Sequence, residues 1–176
     1  MSEIPFEVTE EIMVGDLTEV KEQRSVIPPT QNLKVRINKA GVQENKNKDI
    51  RSLKLDLRIV DGIEVLDKES GVSELKYVNK PLFTNLMDLC FWADPSTKNS
   101  NWFVTKQHLV GLKKFCIALD IELTNFKVND EFLSGLLGKE LLVDVVHEEE
   151  ETLDSTTGEY KGTGTFRERI KNFKHI

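Results

Sequence analysis

Cationic side chains recur at alternate positions in three stretches of this chain. Lys34 and Arg36 alternate with Leu33, Val35 and Ile37; Lys54 and Arg58 alternate with Leu53, Leu55, Leu57 and Ile59. Near the far end, Arg167, Arg169, Lys171 and Phe173 fall on one face and Phe166 and Ile170 on the other. A period of two puts each set on one side of a β-strand, with the apolar set facing a core. Cations lined up on neighbouring strands can follow a phosphate backbone. Aromatic side chains close by can stack bases. The aromatic candidates are Phe173, Tyr77, Trp92 and Trp102, and Lys46 and Lys48 add charge in the polar stretch after the first strand.

Other chemistries have less behind them. The chain holds no GxxxxGK[ST], HExxH, GxSxG or GxGxxG motif. Asp56, Asp88 and Asp144 sit on expected strands and could gather as a nuclease-type metal cluster, but their spacing matches no ligand pattern. Solvated strand positions are the simpler expectation for all three. His108, expected near a helix start, has no partner pattern, and His147 precedes four glutamates and reads as a charge-paired strand end. Cys90 and Cys116 form no metal-ligand spacing and read as buried free thiols. No metal or cofactor is expected, and no catalytic residue is assigned.

These residues need elements to position them. The central block is Thr105–Glu148. Leu109, Leu112, Phe115, Cys116 and Leu119 recur at helical steps, with Thr105 as the expected N-cap. Asn129 caps a second, shorter helix through Phe132, Leu133, Leu136 and Leu137, which Gly138 stops. Strands are expected over 33–40, 50–60, 77–88, 139–147 and 165–174, with Pro81 confining the third to an edge. Residues 63–76 form an inserted hairpin or a short helix. Residues 93–101 form a polar loop flanked by Phe91-Trp92 and Trp102-Phe103, and residues 148–164 form another that opens on a glutamate run able to compete for a basic face. The fold class is mainly β with helices (α+β): a five-stranded OB-fold barrel with a helix between strands three and four. Residues 1–31 form an acidic arm that closes on Pro28-Pro29, and residues 32–176 form the barrel domain.

The chain has 176 residues, 39% of them hydrophobic, which suits a packed core of ordinary size. The formal net charge is −6, so the total charge makes no case for nucleic acid; its distribution does. The arm is acidic, and the segments 33–58 and 165–174 are basic. No signal peptide and no apolar run of membrane-spanning length is expected, which points to a reducing, cytoplasmic setting without membrane contact.

Strand one (LKVRINKAGV), strand two (RSLKLDLRIVDG), PLFTNLMDL, the helix HLVGLKKFCIALDIE, the tract LLGKELLVDV and the closing RIKNFK together resemble a group of bacteriophage proteins. The resemblance covers residues 32–174. Its members are taken to be OB-fold single-stranded DNA-binding proteins of phage replication and recombination modules. It therefore implies non-catalytic, largely sequence-independent binding of single-stranded DNA in phage DNA replication, recombination or repair. The setting would be the host cell cytoplasm, with phage replication or recombination proteins as partners and room for a homo-oligomer. Such proteins often end in an acidic tail, and this sequence closes on RIKNFKHI instead. The alternative is an OB-like protein-interaction or virion-assembly module that does not bind nucleic acid.

Overall fold

The fold was obtained as a computed structural model that describes residues 27–94, 96 and 109–176. Its elements are β1 (Thr30–Glu44), β2 (Ile50–Ile59), β3 (Ile63–Leu66), β4 (Ser73–Lys76), β5 (Pro81–Phe83), β6 (Cys90–Ala93), α1 (Leu109–Ala118), α2 (Asp130–Leu136), β7 (Glu140–Leu153) and β8 (Tyr160–Lys174). The class is mainly β with two helices among the described residues. The main sheet is antiparallel, in the order β5-β2-β1-β7-β8, with β6 pairing β2, while β3 and β4 form a separate hairpin.

The alternation of β1 and β2 builds the core directly. Val35 pairs with Ile59 and Ile37 with Leu57, and all four are buried. Asn38 then enters as an extra residue, since Ile37 pairs with Leu57 but Lys39 pairs with Asp56. A bulge of this kind reverses the phase downstream. Ala40 thus continues the inner row opposite Leu55, and Lys39 turns outward with Arg36. The same device acts in β8. Asn172 pairs with Asp144 and Ile170 with Val145, leaving Lys171 as the extra residue. Ile170 and Phe173, three apart, therefore both point inward and are buried.

Helix α1 covers the inner face, burying Leu112, Phe115 and Cys116 against β8 and β6. Gly111 allows its close approach: a Cβ there would lie 2.3 Å from the Asp88 carbonyl oxygen. The Asn129 side chain accepts the Phe132 amide at 2.8 Å, as its cap position predicts. Gly138, at φ +78°, ends α2 and donates to the Ile37 carbonyl, stitching the turn onto β1. The core reaches upstream of β1 as well: Ile27 is fully buried and its amide donates to the Glu168 carboxylate at 2.8 Å.

Several boundaries differ from expectation. The expected third strand, 77–88, is broken. Tyr77 and Asn79 adopt left-handed backbone, and only three residues pair as β5, an edge strand that opens on Pro81. Residues 63–76 are a hairpin, not a helix. The glutamate run is not a loop, because β7 and β8 stay paired out to Leu153 and Tyr160 as a two-stranded ribbon. The sheet does not close into a barrel. Edge strands β5 and β8 share no ladder, although Lys80–Glu168 at 3.4 Å and Arg169–Asp88 at 3.5 Å link the two sides.

Candidate nucleic-acid interface

The outer face of β1 and β2 gathers the cations that the sequence put on those strands. Arg36 and Arg58 are cross-strand neighbours and, with Asn38 and Asn79, line a depression of about 300 Å³. Beside it, Lys39, Lys54, Asp56 and Phe83 line a second depression of about 380 Å³. Lys34 completes the row one step along β1. Among the described residues, three of these five cations are ion-paired, Lys34 and Arg36 with Glu140 and Arg58 with Asp56.

Pairing grades these cations. Lys34 and Arg36 converge on Glu140, at 3.0 and 2.6 Å. The Arg36 and Lys34 hydrogen bonds hold the Glu140 carboxyl below the usual range. Arg58 Nε lies 3.1 Å from Asp56 Oδ1, and its Nη1 donates to the Asn79 carbonyl. Lys39 and Lys54 are exposed and carry no ion pair among the described residues. Exposed pairs break at little cost when a phosphate competes, so Lys39 and Lys54 are the most available charges and Arg36 the next.

The remaining expected site residues lie elsewhere. Lys46 and Lys48 project from the β1–β2 turn, whose backbone Asn45 organises by accepting the Asp49 and Ile50 amides. Arg169 is bound to Glu148 at 2.5 Å and to Asp88, and Arg167 lies 3.9 Å from Glu148. Both line a separate depression with Glu149, Glu151 and Tyr160, so the β8 arginines do not join the β1–β2 row. Lys171 is exposed at the bulge. Phe173 is a correction: it is a core residue, edge to face with Phe115, because the bulge reverses its phase. Tyr77 packs against the core with Lys80 Nζ 5.2 Å from its ring. Trp92 is half-buried beneath the Arg51 guanidinium, 4.6 Å from the ring centroid. Trp102, Thr105 and His108 fall outside the described residues.

Lys39 and Phe83 are additions. The bulge at Asn38 concealed Lys39, and the break after Tyr77 concealed the three-residue strand that presents Phe83.

The three aspartates are each committed to a cation: Asp56 to Arg58, Asp88 to Arg169, and Asp144 to Lys174 at 2.7 Å. Among the described residues, no group of His, Cys, Asp and Glu could hold a metal ion. His147 lies within β7 and contacts the Ile27 carbonyl at 2.6 Å. No helix among the described residues is long and apolar enough to cross a membrane. No protein-family model and no curated protein matches this sequence.

Proposed function

We propose that this chain is a non-catalytic binder of single-stranded DNA, used in phage replication, recombination or repair, with the outer face of β1 and β2 as its interface. The observation that carries this is the cation row: Lys34, Arg36, Lys39, Lys54 and Arg58 share one sheet face, in excess over Glu140 and Asp56. Two shallow neighbouring depressions suit an extended strand better than a duplex or a small molecule. The strand order is in keeping with a partly open OB-type barrel: β1 lies between β2 and β7, and ion pairs link the residues that flank β5 to β8. Binding should depend little on sequence and should weaken as salt rises. Fluorescence anisotropy of a labelled oligonucleotide at two salt concentrations tests it: binding at low salt that falls at high salt is expected, and no binding at low salt overturns the proposal.

A second possibility, a protein-interaction or virion-assembly module, is favoured by one observation. The two projecting hairpins expose apolar side chains: Leu66 and Leu75 on one, Leu153, Tyr160 and Phe166 on the other. It requires a partner chain or self-association and indifference to oligonucleotides. Sedimentation with and without DNA separates the two.

A further inference from the structure

We infer that Phe83 is the base-stacking residue of the β1–β2 interface, so that this face engages the bases of a single strand as well as its phosphates. The inference rests on the proposed DNA-binding role and assigns that role's aromatic contact. Phe83 stands 54% exposed on an edge strand, whereas its neighbours Leu82 and Thr84 are both buried. An exposed phenyl ring on a sheet edge forgoes its own burial, so its position decides what it does. It shares the wall of one depression with Lys39, Lys54 and Asp56. A base on the ring would leave its phosphates near two ammonium groups that have no ion pair among the described residues.

The ring is also held in place. Phe83 pairs with Asp56 across the β2–β5 ladder. The next residue locks the strand: Thr84 Oγ1 accepts the Leu55 amide at 2.9 Å and donates to the Leu53 carbonyl at 3.3 Å, and the Thr84 amide donates to the Leu55 carbonyl. A platform fixed by its own backbone loses little freedom when a base lands on it. Tyr77 and Trp92 are less suited. Tyr77 packs on the core beneath Lys80, and Trp92 is half-buried and already stacked by Arg51. Asp56 beside Phe83 repels phosphate at that one point, which favours a base over the ring with phosphates towards Lys39 and Lys54.

The test compares a labelled oligothymidylate with a labelled oligomer of equal length built from abasic sites. The wild-type chain should bind the oligothymidylate more tightly. Phe83→Ala should weaken oligothymidylate binding by roughly 5- to 150-fold, the range for one stacked base, and leave abasic binding unchanged. Phe83→Trp should restore it. Equal binding of both oligomers by wild type, or an unchanged affinity in Phe83→Ala, overturns the stacking assignment while leaving DNA binding standing. Failure of wild type to bind either oligomer overturns both. Circular dichroism of Phe83→Ala should match wild type, since the ring is exposed.

Discussion

Phe115 of α1 and Phe173 of β8 meet edge to face, with ring centroids 5.4 Å apart and planes at 81°. This contact pins the helix to the last strand, and it exists because the Lys171 bulge turns Phe173 inward. Phe173→Ala should therefore destabilise the fold by about 3–5 kcal/mol, the usual cost of emptying a buried aromatic site. Phe83→Ala should change stability by less than about 0.5 kcal/mol, as exposed substitutions do. Urea denaturation of both variants checks the contrast, and equal losses would show that the two rings had been assigned to the wrong faces.

Glu140 restrains the Lys34–Arg36 end of the cation row. Glu140→Gln removes the shared partner of Lys34 and Arg36 and raises the positive potential of the face. Affinity for single-stranded DNA should rise, most clearly at low salt where charge is least screened. An anisotropy titration of Glu140→Gln against wild type reads this directly. Unchanged or weaker binding would place the strand away from Lys34 and Arg36.

The helices, the second strand and the first strand up to Ile37 were legible in the sequence because each follows one unbroken period. Leu53, Leu55, Leu57 and Ile59 are all buried, and Asn129 caps the helix it was expected to cap. What escaped was each place where a single residue changes the phase. The sequence contains no Gly or Pro at Asn38 or Lys171 to announce a bulge, yet those two insertions decide that Lys39 faces out and Phe173 faces in. The ribbon escaped for another reason. Four consecutive glutamates read as a loop, but Arg167 and Arg169 offset Glu148, and the Glu149 carboxylate accepts the Gly164 amide at 2.8 Å. Phe83 lay hidden in a strand of three residues, too short to show any period.

Acid should loosen the β7–β8 pairing through Asp144. Burial acts to raise its pKa, but Lys174, the Asn32 amide and the Asn172 side chain together outweigh it and hold the carboxyl below its ordinary value of 3.8. A carboxyl depressed in the folded state stabilises the fold at pH above its unfolded value, and that stability is lost as pH falls through the folded value. Wild type should thus lose stability below about pH 4 faster than Asp144→Asn, which lacks that titration. Thermal melts from pH 6 to pH 3 measure it, and parallel curves would exclude Asp144 as a source.

Both thiols should resist alkylation in the folded chain. Cys90 and Cys116 are buried, and burial pushes the Cys116 thiol up to about 11, leaving almost no thiolate at neutral pH. A thiol reagent at pH 7.5 should react only after denaturant is added. Rapid labelling of Cys116 in the native protein would show that α1 opens readily from the sheet.

The most direct test of the β1–β2 interface is the salt dependence of single-stranded DNA affinity in wild type and in Lys39→Gln/Lys54→Gln. Each phosphate contact removed lowers the slope of log K against log salt by about 0.7 for single strands. The double variant should therefore bind more weakly at low salt, with a slope shallower by about 1.4, while its melting temperature stays at the wild-type value. An unchanged slope and affinity, or a wild-type protein that ignores single-stranded DNA at low salt, would contradict the assignment of this face.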